Sequence, residues 1–373
     1  MTWGRPAPAF ERIERIAVLR GGGLGDILFA FPAIEALADA YPGAEITLLS
    51  TPLSRALLEG RPSPVDDIQL LPVAEGVYSP EGEERGEDAP ALADFLDTMR
   101  SRRFDLALQL HGGGRFSNPF VLALGARHTV GAATPDAAPL ERILPYVHYQ
   151  HETLRWLEVA ALAGAPPTGL EPVVRVTGRE RREARGRLLD SAGLVVIHPG
   201  AMDPRRRWPA SGFAEIAALC AGSGHQVIVV GAGEDVELAA EIVAAAGPAS
   251  PGMLTSLAGE LSLSQLAGLL SWADVFVGND SGPRHLAQAV GTATAGIYWV
   301  GNLITAGPLA RERHRVQLSW LTHCPVCGRD STQPGWKAER CEHQVSFVAE
   351  VAVEDVYQDV RSLMAGTAPA RGR

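Results

Sequence analysis

Asp26 closes the run Arg20-Gly21-Gly22-Gly23-Leu24-Gly25-Asp26, between the apolar stretch Ile16-Ala17-Val18-Leu19 and a helical pattern that begins at Ile27. A strand, a glycine turn and a helix start in that order make a ligand site in α/β proteins, and this turn brings an acid with it. Anions are stabilised at a helix N-terminus by the dipole and by free backbone N–H groups, so Asp26 reads as a cap or as a general base. A dinucleotide fingerprint would place a third glycine where Asp26 stands and an acid at the end of the next strand. That strand ends in Ser50-Thr51, and no Gly-Lys-Ser/Thr follows the glycines, so NAD binding and a P-loop are both disfavoured.

Further along, Val275 to His285 runs from an apolar strand into Gly278-Asn279-Asp280-Ser281-Gly282-Pro283-Arg284-His285. Asp280 or Ser281 can cap the following helix, Pro283 suits its first turn, and Gly282 lets a ligand approach the backbone. Helix N–H groups of this kind bind diphosphates, and His285 is either an added donor or a packed core histidine. His198-Pro199-Gly200 ends another buried strand and leads to Arg205-Arg206-Arg207-Trp208-Pro209. Arginines in that position suit phosphate oxygens through their planar fork, with a solvated basic loop as the plain alternative. Glu234 or Asp235, after Gly231-Ala232-Gly233, can accept from ribose hydroxyls or simply cap a helix. In the first half, Gln109 to Asn118 forms another loop at a strand end. There Arg115 or Ser117 could meet an acceptor, or Ser117 could cap a turn.

Two ligand pairs remain, Cys324-Pro325-Val326-Cys327 and Cys341-Glu342-His343, separated by thirteen residues. Thiolates and imidazole suit tetrahedral zinc, and the alternative is a set of buried thiols or a labile disulfide. Cys220 lies on an apolar helical face and reads as core.

The elements that must position these residues alternate throughout, which implies parallel sheets covered on both faces. Strands are expected at Arg15–Arg20, Glu45–Ser50, Asp67–Leu71, Asp105–Leu110 and His128–Gly131, with helices at Asp26–Tyr41, Leu53–Glu59, Pro90–Arg102, Ser117–Ala126 and His151–Gly164. The second half repeats the alternation, with strands at Leu194–His198, Gln226–Val230, Leu254–Leu257, Val275–Gly278 and Ala295–Trp299. Its helices are expected at Gly212–Gly222, Asp235–Ala246, Ser264–Ala273 and Arg284–Val290, with a last helix near Val353–Met364. Glu81 to Asp88 is acidic and polar and reads as a mobile loop. The fold class is therefore α/β, two doubly wound Rossmann-like domains facing across a cleft.

The chain has 373 residues, 46% hydrophobic and 20% charged, enough for two domains with full cores. A net charge of −10 argues against a nucleic-acid partner, because phosphate neutralisation needs a basic surface. No apolar run approaches the ~18–20 residues needed to span a bilayer, and the N-terminus lacks a signal-peptide core. The expected compartment is the cytoplasm, and peripheral association with the inner face of a membrane is compatible with this reading.

Taken in order, Gly25-Asp26 with its helix through Pro32-Ala33, His198-Pro199-Gly200, Arg206-Arg207-Trp208-Pro209, Asn279 to His285 and the cysteine-containing tail resemble glycosyltransferase family 9, the heptosyltransferase-like enzymes of the GT-B fold. The resemblance covers nearly the whole chain. It implies inverting transfer of a sugar, heptose or a related hexose, from a nucleotide donor such as ADP-heptose to a glycan or lipopolysaccharide-type hydroxyl, with no cofactor required for catalysis. It also implies an acceptor-side domain over residues 1–170 and a nucleotide-sugar domain over 190–345. A C-terminal segment, 346–373, would then pack its helix back on the first domain. Asp26 would be the base, with Gly25, Arg115 and Ser117 on the acceptor side. Arg206 would replace a lysine often found two residues before the tryptophan. With Glu234, Asp280, Ser281, Gly282 and His285 it would meet the donor. Cys324, Cys327, Cys341 and His343 would hold a structural zinc. The alternatives are another GT-B nucleotide-sugar enzyme and a non-catalytic nucleotide-sugar-binding protein.

Overall fold

The computed structural model describes residues 6–80, 88–190, 193–333 and 341–366. The chain divides into two compact units, Met1–Val173 and Val174–Arg373. Their boundary falls later than the expected end of the first domain at residue 170. The sequence places the junction of the two halves near residues 165–192, and most of that stretch, from Val174 on, belongs with the second unit.

The first unit runs β1 (Arg15–Arg20), α1 (Leu24–Ala40), β2 (Glu45–Ser50), α2 (Pro52–Leu58), β3 (Asp67–Leu70), α3 (Ala89–Ser101), β4 (Leu106–Gln109), α4 (Ser117–Ala123), β5 (His128–Ala133), β6 (Arg142–Pro145) and α5 (Glu152–Leu162). Its strands form one parallel six-stranded sheet ordered β3-β2-β1-β4-β5-β6. The central strands are apolar along their length because helices cover both faces, so every side chain needs an apolar partner. Ala17, Leu19 and Ala107 pack with Phe104 and Phe120 on one side of the sheet. α1 packs against α5 and is buried along most of its length, from Ile27 to Leu37. Residues 81–87 of the acidic stretch lie outside the described residues. Asp88 caps α3, its carboxylate accepting from the Ala91 N–H at 3.1 Å.

The second unit runs α6 (Gly178–Arg185), β7 (Leu194–His198), a 3-10 turn at Pro204–Arg206, α7 (Ala210–Gly222), β8 (Gln226–Val229), α8 (Asp235–Ala245), β9 (Leu254–Ser256), α9 (Leu263–Leu270), β10 (Val275–Asn279), α10 (Gly282–Ala289), β11 (Ala293–Trp299), α11 (Val300–Ala306), β12 (His314–Ser319) and α12 (Val353–Gly366). Its sheet is again parallel and six-stranded, ordered β12-β11-β10-β7-β8-β9. α6 starts with a capping box, in which Glu180 accepts from the Thr177 N–H at 2.7 Å. It packs on α9, which is why the expected linker is folded.

α12 corrects the placement expected for the C-terminal helix. Val356, Val360 and Leu363 enter the second unit's own core beside Ile216, Cys220 and Val275. An apolar stripe is buried where the nearest matching surface lies, and here that surface is α7 with β10, β11 and β12 of the second sheet. Cys220 is a core residue as expected, and burial pushes its thiol up to about 12.

Candidate functional site

Each sheet reverses strand order once, between β1 and β4 in the first unit and between β7 and β10 in the second. The crevice beyond the carboxyl ends of such strands is where ligands of these folds bind. Both sequence-derived sites stand there.

In the first unit β1 ends at Arg20 and enters the glycine turn. Gly22 has a φ of +94°, and a Cβ on it would lie 2.5 Å from the Asp26 carboxylate, so only glycine fits. Asp26 is the third residue of α1, and its Oδ2 accepts from the Gly23 N–H at 2.9 Å. Its Oδ1 accepts from Arg20 Nη2 at 2.8 Å, while Arg20 Nε donates to the Asp26 carbonyl at 2.7 Å. The rest of the guanidinium is held from the opposite side. Nη1 donates to the Leu110 carbonyl at 2.6 Å, Nη2 lies 3.4 Å from Glu152, and the group sits 5.0 Å from the Trp156 ring centre. Glu152 is paired in turn with the fully buried Arg155. Arg20 is 3% exposed and Asp26 47%.

The cation is thus fixed inside and the carboxylate is half open. Each carboxylate oxygen spends one lone pair on an inward donor and keeps another for an outside partner. Cap and available acceptor are not exclusive roles for Asp26.

His111, on the loop after β4, closes on this turn and lies close enough to Gly21 that a Cβ there would crowd its ring at 3.1 Å. Burial, followed by the Arg20 charge, lowers His111 to about 4, so it is neutral near pH 7. Its place beside Arg20 was not legible in sequence, because a lone histidine in a glycine loop carries no local signal. Gly25 lies in the first turn of α1 next to Asp26. Arg115 is half-exposed, 3.7 Å from Asp136. Ser117 is different: it is buried, its Oγ donating to the His111 carbonyl at 2.7 Å and accepting from Gln109 Nε2 at 2.5 Å. Its proton and one lone pair are spent inside and the group is buried, so Ser117 holds the His111 loop rather than offering a hydroxyl to an acceptor.

In the second unit Asn279, fully buried at the end of β10, ties the loops together. Its Nδ2 donates to the Pro199 carbonyl at 2.6 Å and its Oδ1 accepts from the Trp208 N–H at 3.0 Å. Trp208 is a packing residue, edge-on to Phe213 and donating from Nε1 to the Val351 carbonyl. This clamp brings Arg206 to Asp280, Nη1 to Oδ2 at 3.1 Å. The other oxygen of Asp280 meets His285 Nε2 at 3.0 Å. Arg284 Nη2 donates to His285 Nδ1 at 2.6 Å, and arginine can only donate, so the ring proton sits on Nε2 and points at Asp280. Burial pushes Asp280 up, but the His285 bond and the Arg206 and Arg284 charges outweigh it and hold the carboxyl below its ordinary value. Asp280 is 2% exposed and Arg206 25%.

Ser281 precedes α10 without a side-chain cap, its Oγ instead 3.2 Å from His198 Nδ1. At the start of α10 Pro283 has no N–H and the Arg284 and His285 N–H groups donate to the Ser281 carbonyl at 3.1 and 3.2 Å, which leaves the Gly282 N–H as the opening donor without a helical partner or side-chain cap. On the other side, His198 Nε2 lies 3.3 Å from Asp235 Oδ2. Burial raises Asp235, but His198 and the Ala232 N–H dominate and lower it. Glu234 is 90% exposed and, among the described residues, pairs with Arg207 alone, at 3.7 Å. Of the two adjacent acids, the structure brings Asp235 to the switch point and leaves Glu234 outside it.

Cys324, Cys327, Cys341 and His343 converge, their ligand atoms all within 4.8 Å of one another. A tetrahedral zinc with ~2.3 Å bonds to sulfur separates its thiolates by about 3.8 Å, so this donor set fits with a small inward adjustment. Burial raises the Cys324 thiol, but the Cys327 and Val326 N–H groups and the neighbouring thiols lower it further, to about 6.

The sequence profile of glycosyltransferase family 9 (heptosyltransferase) matches residues 93–336. The lipopolysaccharide core heptosyltransferase OpsX of Haemophilus influenzae is 21% identical over 360 residues, 95% of this chain and 98% of its own. Among solved structures, the Escherichia coli ADP-heptose lipopolysaccharide heptosyltransferase II superposes with a TM-score of 0.72 at 21% identity, covering 94% of this chain and 99% of that one. The family 9 glycosyl transferase of Veillonella parvula gives 0.75 at 19%, covering 95% and 98%. These two superpositions match the fold of paired parallel sheets.

Proposed function

The chain belongs to glycosyltransferase family 9 and is a glycosyltransferase; from that premise we propose that it moves a heptose or related hexose from an ADP-linked donor to a hydroxyl of a glycan or lipopolysaccharide-type acceptor, with inversion. The observation that carries the reading is the placement of Asp26, a carboxylate oriented by two inward donors and 47% exposed at a sheet switch point. The acceptor hydroxyl loses its proton to Asp26 as its oxygen bonds to the anomeric carbon. The bond from that carbon to the diphosphate oxygen breaks, and the electron pair leaves with ADP. A single displacement of this kind inverts the anomeric centre.

Positive charge grows on the sugar and negative charge on the leaving diphosphate. The second unit offers what the diphosphate needs, Arg206 and the Gly282 N–H at the positive end of α10. Asp280 and His285 hold Arg206 rather than touch phosphate, and Ser281 lies within reach of donor oxygens. The transfer uses only groups of this chain. The cysteine and histidine cluster takes a separate role in this reading, holding a structural zinc. A lipid-linked acceptor would bring the enzyme to a membrane surface, and among the described residues no helix is long and apolar enough to cross one.

Asp26→Asn tests the reading. Turnover of ADP-heptose with a deacylated lipopolysaccharide-core acceptor should fall about 100-fold or more, with ADP affinity unchanged. Turnover near that of the wild type would refute the base assignment.

A further inference from the structure

The cluster of three cysteines and one histidine is joined to the arginine loop by the backbone. After β12, Cys324 and Cys327 sit in a tight turn, in which the Gly328 N–H donates to the Cys324 carbonyl and the Cys324 N–H to the Arg329 carbonyl, each at 2.8 Å. The returning limb carries Cys341 and His343 and reaches Phe347. Phe347 is buried edge-on to Trp299, and its N–H donates to the Arg205 carbonyl at 2.7 Å. Trp299 also holds the outgoing limb, donating from Nε1 to the Leu321 carbonyl. Arg205 is the residue before Arg206, and its own guanidinium is clasped by Asp203 at 2.6 Å. Outgoing limb, returning limb and arginine loop therefore form one connected piece, with the four metal-type ligands at the crossing of the two limbs.

We propose that a zinc ion held by Cys324, Cys327, Cys341 and His343 braces the Asp203–Arg207 loop, so that occupancy of the metal site sets the affinity of the second unit for a nucleoside diphosphate. The inference rests on the zinc and donor-site readings above and adds a coupling between them. The donor set is three soft thiolates and an imidazole, which selects zinc over hard oxygen-liganded cations. A metal that joins residues on both limbs restricts the segment that ends at Phe347. The Phe347 N–H then presents the Arg205 carbonyl, and with it Arg206, in one position.

The test uses the full chain and ADP as probe. Elemental analysis should find one zinc per chain, near zero in His343→Ala, and retained in His343→Cys. Cobalt substitution should give thiolate charge-transfer absorption in the wild type. Titration calorimetry should show ADP binding about tenfold weaker in His343→Ala and within twofold of wild type in His343→Cys. Zinc removal by a chelator should reproduce the loss, and zinc return should reverse it.

Arg206→Ala separates the two readings. It should weaken ADP about tenfold with zinc in place, and losing zinc from that variant should add less than twofold. Unchanged ADP affinity in Arg206→Ala alone overturns the donor assignment. Unchanged affinity on zinc loss, or losses that add in full, overturns the brace. A wild-type chain that neither contains nor takes up zinc overturns both the metal and the coupling, and iron at equal stoichiometry overturns the choice of zinc.

Discussion

The two switch points hold the same kind of ion pair turned inside out. In the first unit the arginine is buried and the aspartate open, 3% against 47% exposed. In the second the aspartate is buried and the arginine more open, 2% against 25%. Burying one charge costs desolvation, so the inner partner must be satisfied from several sides. Arg20 is, by the Leu110 carbonyl, the Asp26 carbonyl and Glu152, and Asp280 is, by His285 as well as Arg206. The outer partner is then fixed in place and still has capacity for a ligand. One topology presents a negative group at one site and a positive group at the other by exchanging which member of the pair is enclosed. The proposed proton acceptor and the proposed diphosphate contact need those opposite signs.

The largest effect that would break this contrast is on stability. Asp280→Ala leaves Arg206 and Arg284 without their counter-charge, and we expect a loss of about 3 kcal/mol in urea unfolding at pH 7. The pH dependence sharpens it. Asp280 is lowered in the folded state, so its contribution is present above the ordinary aspartate range near pH ~4 and is lost as pH falls through the lowered folded value. The variant should therefore show a shallower loss of stability on acidification than the wild type. An equal acid limb in both proteins would mean that Asp280 is not the enclosed charge described.

Next is the inner partner of the first site. Arg20→Lys keeps the charge but cannot reach Asp26, its carbonyl and the Leu110 carbonyl at once. Turnover should fall about tenfold, the equivalent of about 1.4 kcal/mol, while the KM for donor stays the same. A change in donor KM with turnover intact would show that Arg20 serves the donor, and the contrast between the sites would fail. The smallest effect is expected at Glu234, which hangs in solvent beside Arg207. Glu234→Ala should alter donor KM by less than about twofold in steady-state assays. A larger change would move the donor site outward and restore the role that its sequence context suggested.

Much of this was legible from local pattern. Apolar runs of strand length and glycine punctuation gave ten of the strands, because a central parallel strand buried on both faces has few alternatives. The sixth strand of each sheet escaped. β6, Arg-Ile-Leu-Pro, and β12, His-Arg-Val-Gln-Leu-Ser, are strands that alternate or mix polar residues, each at the end of its sheet among the described residues. The short helix α11 escaped as well, whereas the arginine-dense stretch Arg179 to Arg187, which reads as a solvated helix face, forms α6. α6 is almost wholly charged, and its capping box and its packing on α9 fix where it starts and what it covers. The Cys and His spacing suggested a ligand set, and the fold brings those four side chains together.

Residue types at fixed spacing determined the elements, the glycine turn that carries Asp26, the acid and hydroxyl ahead of α10 and the pairing of cysteines, because these depend on neighbours within a few residues. Which charge is enclosed was decided only in three dimensions. Arg20 is oriented by Glu152, 132 positions away, and Arg206 by Asp280, 74 positions away. Desolvation and hydrogen bonding act between groups in space, so a chain read in order contains both members of each pair but not the side from which solvent reaches them.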